Sequence, residues 1–205
     1  MQRYADLLLE WNRTVNLTGA RTPEEVQRHI GDSQVLLALD WSSVRSVIDI
    51  GSGGGLPAIP LALALPDALF FLLEANRRKV AFLEFAAGSL GLRNVRVLPG
   101  RAEELGRGPE LREQFDRAIS RAAAPPPVLL ELALPFVKPG GELIAQVTNV
   151  DPHLLEHASA TLGGGIPRLE HPLPGAGAVL VVPKQTVTPP QFPRRPGVPG
   201  RKPLA

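Results

Sequence analysis

The feature that most constrains the fold is a nearly continuous apolar segment, Ala68–Glu74, which lies between two stretches of helical pattern. A strand of this composition is typical of a parallel sheet that is covered by helices on both faces. Similar short segments occur at Val44–Ile50, Val95–Leu98, Phe115–Ser120 and Glu142–Val147, and most are separated by helical patterns. The alternation predicts right-handed crossover units and a doubly wound α/β sheet.

The two ends of the chain do not follow this alternation. The first forty residues predict two helices, the second beginning at Thr22-Pro23 and running to about Leu39. After Asp151 we expect a further helix and then two strands, Arg168–Leu173 and Ala178–Val182, that are close enough to form a hairpin. The remaining residues are rich in proline and show no period. We therefore divide the chain into a helical cap (1–40), a sheet domain (41–185) and an extended basic tail (186–205).

Composition excludes several kinds of site. The chain has no cysteine, which excludes disulfides, thiolate zinc sites and a cysteine nucleophile. His153 and His157 have helical spacing but lack the glutamate of a zinc-protease motif, so we predict no metal site. No apolar run reaches 18 residues, and the amino terminus lacks the layout of a signal peptide. We expect a cytoplasmic monomer that does not enter a membrane.

A glycine-rich loop follows the first predicted strand and opens a helix. It reads Asp49-Ile50-Gly51-Ser52-Gly53-Gly54-Gly55-Leu56-Pro57. Ligands of open α/β sheets bind at the carboxyl ends of the strands, and glycine lets the backbone approach them closely. We therefore predict that the loop binds a cofactor.

Two classes of cofactor fit the loop. Gly53, Gly55 and Ala58 form a passable dinucleotide fingerprint, whereas the loop from Asp49 onward reads D-x-G-x-G-x-G, a pattern associated with S-adenosylmethionine. We favour the second because a carboxylate beside the loop suits a sulfonium and an ammonium better than a pyrophosphate. Glu74 ends the second strand and could accept hydrogen bonds from ribose hydroxyls of either cofactor, so it does not discriminate.

Several motifs resemble those of the bacterial small-subunit rRNA methyltransferase G family. The resemblance covers nearly the whole chain in the right order. Its motifs are Trp11-Asn12-Arg13-Thr14-Val15-Asn16-Leu17-Thr18, His29-Ile30-Gly31-Asp32-Ser33, the glycine loop with Ile59-Pro60-Leu61-Ala62, Arg101-Ala102-Glu103, Phe115-Asp116, Ser120-Arg121-Ala122, Thr188-Pro189 and Phe192-Pro193-Arg194-Arg195-Pro196-Gly197.

The resemblance implies a Rossmann-like Class I methyltransferase with a seven-stranded, mostly parallel sheet and a small helical cap. It implies S-adenosylmethionine-dependent methylation of guanine N7 in the 530 loop of 16S rRNA, free or within the small ribosomal subunit. The cofactor contacts that it places on this chain are Gly51, Leu56, Ala102, Glu103 and Arg121. Two alternatives stay open: a methyltransferase of another RNA or of a small molecule, and a nucleotide-binding module without catalysis.

Guanine N7 has an in-plane lone pair and no proton, so its methylation needs no general base, and we name no catalytic residue. His29 and Asp32 are the polar groups to test first, and we count both among the residues that could contact RNA. RNA binding requires cations for phosphates, and the candidates are Arg28, Arg77, Arg78, Lys79, Arg194, Arg195, Arg201 and Lys202.

The chain departs from the family pattern at two internal positions. Ala58 stands where glycine is expected, and Gln146-Val147-Thr148 replaces a usual Lys-Gly after the fifth strand. If that lysine contacts RNA phosphate in the family, this chain has a weaker substrate contact there.

Overall fold

The computed structural model describes residues 1–204, which contain a seven-stranded sheet. The strands are β1 (Ser46–Ile50), β2 (Leu69–Glu74), β3 (Val95–Pro99), β4 (Phe115–Arg121), β5 (Val137–Gln146), β6 (Arg168–Glu170) and β7 (Val179–Pro183). Their spatial order is β3-β2-β1-β4-β5-β7-β6. The first five are parallel, and β7 runs antiparallel to both β5 and β6. The predicted sheet and its closing hairpin are confirmed.

Helices cover both faces of the sheet. They are α1 (Gln2–Trp11), α2 (Pro23–Gln34), α3 (Ala58–Ala64), α4 (Arg77–Leu90), α5 (Ala102–Leu105), α6 (Pro126–Ala133), α7 (Glu156–Thr161) and α8 (Val198–Arg201). One buried apolar cluster joins α1 to α4 with the sheet, and the other joins α6 and α7 with its opposite face. Val47 belongs to the first cluster and Ile48 to the second, as the alternation of side chains along a strand requires.

The helix boundaries follow the capping residues of the sequence. Thr22 and Glu25 form a capping box at the start of α2, and Pro23 occupies its first turn. Asn76 caps α4 by accepting hydrogen bonds from the backbone N–H groups of Arg78 and Lys79. Gly91 ends α4 in the left-handed conformation, with φ of 65°.

Other boundaries differ from the sequence prediction. The second helix ends at Gln34 rather than near Leu39, and a 3₁₀ turn follows it. The carbonyl of Leu36 in this turn accepts hydrogen bonds from the N–H of Leu39 and from the indole N–H of Trp41. These contacts stabilise the 3₁₀ turn, which is more tightly wound than an α-helix. Strand β5 begins at Val137, before the predicted start, because Val137 pairs with Phe115 of β4 and the following Gly140 and Gly141 pair with Lys184 beyond the end of β7.

The carboxyl ends of the parallel strands form one edge of the sheet. β1 lies at its centre, with β2 on one side and β4 on the other, so the strand order reverses between β1 and β4. Such a switch point creates a crevice in which open α/β proteins bind ligands. None of the helices within residues 1–204 is long and apolar enough to span a membrane.

Candidate functional site

The glycine loop occupies the switch point in a conformation that needs glycine. Gly51, Gly53 and Gly55 have φ of 70°, 57° and 86°, values that L side chains rarely adopt. A Cβ on Gly51 would lie 2.8 Å from the Cβ of Ala123, so this glycine allows β1 and the turn after β4 to pack closely. A Cβ on Gly53 would lie 3.8 Å from the carbonyl oxygens of Gly51 and Leu17, at ordinary van der Waals distance, and Gly53 also borders a cavity. The loop therefore leaves room for a ligand beside Gly53.

Glu74 fixes the shape of this loop from the neighbouring strand. Its Oε2 accepts from the N–H of Gly53 at 2.9 Å, and its Oε1 accepts from the N–H of Asn76 at 2.8 Å. The side chain is buried, yet each carboxylate oxygen can accept a second hydrogen bond. Glu74 thus joins the glycine loop to the start of α4 and still has acceptor capacity for a ligand.

Asp49 lies directly before the loop and is almost completely buried. Neither carboxylate oxygen has a hydrogen-bond partner within residues 1–204. The pKa of Asp49 is raised to about 8, chiefly by burial and in part by the nearby carboxylate of Glu74, although Ser52 and Arg121 act to lower it. A buried acid without a partner is costly, and a bound cation beside it would restore its charge.

The segment between α1 and α2 forms one wall of the site. The side chain of Asn12 shapes it by donating to the carbonyls of Thr18 and Ala20 and accepting from the N–H groups of Leu17 and Thr18. The hydroxyl of Tyr4 donates to the carbonyl of Gly54 at 2.7 Å, which ties α1 to the glycine loop. Sequence reasoning gave these residues no role, although Asn12 and Thr18 lie in the motif that carries the family resemblance.

Arg121, at the end of β4, reaches across to α2. Its Nη1 donates to the carbonyl of His29 at 3.0 Å, and burial lowers the pKa of the guanidinium group. The Nδ1 of His29 lies 2.9 Å from the hydroxyl of Thr18. Burial and the charge of Arg121 lower the pKa of His29, so the imidazole is neutral at pH 7. The exposed carboxylate of Asp32 acts against both of these shifts and therefore lies near both groups.

Two cavities lie next to each other on this edge of the sheet. The first, of about 420 Å³, lies over the glycine loop and is bounded by the 17–19 segment, His29 and Lys79. The second, of about 390 Å³, lies beside β5 between Val35, Leu129 and Val147. Asp32, Arg121 and Ala122 line both. We name them the loop cavity and the β5 cavity.

The predicted cofactor residues differ in how close they lie to the loop cavity. Gly51, Gly53, Leu56 and Arg121 line the loop cavity, and Asp49 and Glu74 lie directly against the loop. Gly55 faces the core, where a Cβ would collide with Ile59.

Ala102 and Glu103 follow β3, two strands away from β1, and do not line the loop cavity. The Oε1 of Glu103 accepts from the N–H of Gly197 at 3.0 Å.

The predicted tail is a packed strap rather than a free extended segment. Phe192 is buried, and the short helix α8 packs on α6. Arg194 forms a two-pronged ion pair with the fully buried Glu131, with Nε 2.8 Å from Oε1. Arg194 is therefore unsuited to phosphate binding, which corrects its place among the RNA candidates. Arg195, Arg201 and Lys202 are exposed.

The other RNA candidates lie at the start of α4 and on α2. Arg77 and Arg78 are exposed in the first turn of α4, and Lys79 is half-buried against the loop cavity. Arg28 is exposed on α2. Within residues 1–204 no group of three or more acidic and histidine side chains is arranged to hold a metal ion.

Solved structures share this architecture. An S-adenosylmethionine-dependent methyltransferase from Aquifex aeolicus superposes on 85% of this chain and 97% of its own with a TM-score of 0.58 and 16% identity. The protein TnmH gives a TM-score of 0.63 with 17% identity over 79% of this chain and 56% of its own. The sheet order, the glycine loop at the switch point and these likenesses define the Class I methyltransferase fold.

Sequence comparison identifies the family. The model of the family described as rRNA small subunit methyltransferase G matches residues 1–154. Proteins named Ribosomal RNA small subunit methyltransferase G are 42% identical in Deinococcus deserti (97% of this chain, 85% of that protein) and 41% identical in Moorella thermoacetica (100% and 89%). The chain belongs to the rRNA small subunit methyltransferase G family.

Proposed function

We propose that this protein transfers a methyl group from S-adenosylmethionine to N7 of a guanine in the 530 loop of 16S rRNA. One observation carries the proposal: the loop cavity, suited to a cofactor, lies beside the β5 cavity, and both are lined by Asp32 and Arg121. Methyl transfer requires donor and acceptor to meet in line, and two adjacent cavities suit this arrangement. The relatives' names supply the substrate class, small-subunit rRNA.

The residues around the loop fit S-adenosylmethionine. The buried carboxylate of Asp49 lacks a partner, and a ligand carrying a sulfonium and an ammonium would supply a cation. Glu74 retains lone pairs that could accept from ribose hydroxyls. Gly53 lines the loop cavity and carries no side chain, so a ligand can lie against the backbone there. The cofactor of this protein is S-adenosylmethionine, which supplies an electrophilic methyl group on a positively charged sulfur.

The β5 cavity suits a planar base. Val35, Leu129 and Val147 give it apolar walls. Sequence-specific RNA enzymes extrude the target base from the stack, and a slot of this kind would receive it. The Nε2 of Gln146 donates to the carbonyl of Asp32 at 2.6 Å and so holds α2 against the end of β5. Gln146 stands where the family usually has Lys-Gly, and here it shapes the cavity wall.

The chain need not remove a proton in this reaction. Guanine N7 attacks through a lone pair, and the positive charge moves from sulfur to the purine. Asp32 lies at the junction, where its carboxylate would stabilise the charge that develops on the base. His29, neutral at pH 7 and bonded to Thr18, shapes the cavity without adding a competing cation.

Recombinant protein with labelled S-adenosylmethionine tests the proposal. Small subunits and naked 16S rRNA from a strain that lacks the enzyme are offered as substrates, with transfer RNA and free guanosine as controls. We expect label in 16S rRNA as 7-methylguanosine. Label only in transfer RNA or guanosine would favour the first alternative, and cofactor binding without transfer to any substrate would favour a non-catalytic module. The monomeric state and cytoplasmic location stay predictions, which light scattering and cell fractionation test.

A further inference from the structure

We propose that the C-terminal strap (residues 185–204) completes an RNA-docking surface on the side of the loop cavity away from the β5 cavity. We name this surface the basic rim. Its members are Arg77, Arg78, Arg101, Arg195 and Arg201. The inference rests on the proposed function, since it identifies where the RNA backbone is held while a base occupies the β5 cavity.

Cations of the sheet domain hold the strap in place. The guanidinium of Arg112 donates to the carbonyls of Thr188 at 2.6 Å and Phe192 at 2.7 Å. The Nε of Arg107 donates to the carbonyl of Pro193 at 2.7 Å. Carbonyl groups of a proline-rich segment have few backbone donors of their own, and these arginines satisfy them. The strap therefore has a fixed course over the domain.

The buried Glu131 binds one of the two adjacent arginines of the strap and leaves the other exposed. Its carboxylate binds the side chain of Arg194 and also accepts from the backbone N–H of Arg194 at 2.8 Å. This double contact turns Arg194 inward. Arg195, the next residue, is exposed and forms no ion pair with any carboxylate of residues 1–204. Two adjacent arginines thus have different roles, one an anchor and the other free for a ligand.

The strap then brings Arg201 to the carboxyl end of β3. Gly197 donates to Glu103, which follows β3, and the Nε of Arg201 bonds to the carbonyl of Gly197 at 3.2 Å. Gly100, beside Arg101, donates to the carbonyl of Glu74 at the end of β2. This chain of contacts joins the strap to the ends of both strands.

Arg77 and Arg78 start the helix that follows β2, and Arg101 precedes the helix that follows β3. The acidic groups at this place, Glu74 and Glu103, are buried and already accept hydrogen bonds. Glu104 is the exposed carboxylate nearby in sequence. Positive charge therefore dominates the surface, as phosphate binding requires.

The distance between strands of the sheet indicates what kind of ligand could contact both the basic rim and the β5 cavity. β3 and β5 are separated by β2, β1 and β4, so four strand spacings of roughly 4.8 Å place Arg101, which follows β3, about 19 Å from the end of β5. A single nucleotide cannot bridge that distance. A polynucleotide with its target base in the β5 cavity would pass over the loop cavity and place other phosphates on the rim.

The test compares two double variants, each of which removes two arginines. One pair lies at the carboxyl end of β3 and the other pair at its amino end. Arg195→Gln with Arg201→Gln weakens the rim, whereas Arg93→Gln with Arg96→Gln removes two exposed cations near the amino end of the strand. Binding of a 16S rRNA fragment containing the 530 loop is measured at several salt concentrations. We expect the salt slope to fall by about 0.7 for each lost phosphate contact in the rim variant and to stay at the wild-type value in the control.

Thermal unfolding establishes that both variants are folded, and Arg101→Gln, outside the strap, serves as an independent rim variant. S-adenosylhomocysteine affinity is expected to be unchanged. Equal salt slopes for wild type, rim variants and control would overturn the basic rim. Methylation of 16S rRNA by the wild type is measured separately. If the wild type methylates 16S rRNA but all salt slopes are equal, only the basic rim is overturned. If the wild type does not methylate 16S rRNA, the proposed function is overturned.

Discussion

The carboxylate of Glu74 accepts a hydrogen bond from the backbone N–H of Gly53 at 2.9 Å, so the second strand fixes the glycine loop of the first. The same carboxylate is the predicted acceptor for the ribose. One side chain therefore shapes the loop and offers a contact to the cofactor.

We predict that Glu74→Ala weakens S-adenosylhomocysteine binding by about 1–3 kcal/mol, the range for leaving a buried hydrogen-bonding group without its partner. Glu74→Gln keeps the shape and one acceptor oxygen and should lose less. Calorimetry on the folded variants measures both. A wild-type dissociation constant in Glu74→Ala would show that the loop keeps its shape without this contact and that the ribose binds elsewhere.

The second prediction concerns Asp49, whose pKa burial raises to about 8. A cation bound beside it favours the ionised form, so binding of S-adenosylmethionine below pH 8 must release the proton. Affinity should therefore rise with pH from 6 to 8, by up to tenfold per unit, and level off above the pKa.

Calorimetry at pH 7 in buffers of different ionisation enthalpy counts the released protons. We expect close to one for the wild type and none from this site in Asp49→Asn, which should also bind more weakly. Binding without proton release in the wild type would mean that Asp49 is already ionised or that no cation lies beside it.

The third prediction concerns Asp32 at the junction of the two cavities. Asp32→Asn should lower kcat about tenfold, equivalent to about 1.4 kcal/mol of lost transition-state stabilisation, and leave cofactor affinity unchanged. No proton is removed from guanine N7 in the reaction. The pH profile of kcat between pH 6 and 8 should therefore have the same shape in the wild type and in Asp32→Asn.

Asp67→Asn is the matched control, since Asp67 is an exposed aspartate before β2, at the opposite edge of the sheet. A kcat of Asp32→Asn equal to that of the control would exclude the electrostatic role.

The fourth prediction separates the two adjacent arginines of the strap. Arg194→Ala removes the guanidinium that neutralises the buried carboxylate of Glu131 and leaves only the backbone N–H contact, so it should lower the free energy of unfolding by about 3 kcal/mol. Arg195→Ala removes an exposed cation and should change it by less than about 0.5 kcal/mol. Urea unfolding of both variants measures the difference, and equal stabilities would contradict the anchoring role of Glu131.

Local sequence patterns predicted the sheet well because each βα unit is built from neighbouring residues. Thr22 and Asn76 begin helices through hydrogen bonds that span three residues, and the glycines after β1 mark the cofactor loop. These signals are short-range and appear directly in the sequence.

The rest depends on contacts between distant residues. Arg194 binds Glu131, 63 positions away, and Glu103 binds Gly197, 94 positions away, so a proline-rich end that appears extended in sequence packs as a strap. The roles of Tyr4 and Asn12 in holding the site were likewise invisible, because their partners are backbone carbonyls and amides that any sequence provides.

Mapping 7-methylguanosine in 16S rRNA tests the central claim most directly. Ribosomal RNA is taken from a strain that lacks the gene and from the same strain complemented with the wild-type chain or with Gly53→Val. This variant places a β-branched side chain on a residue that lines the loop cavity and has a φ of 57°. We predict that a guanine in the 530 loop loses its N7 methyl group in the deletion strain and regains it only with the wild type. Unchanged methylation of that guanine in the deletion strain, or its restoration by Gly53→Val, would contradict the account.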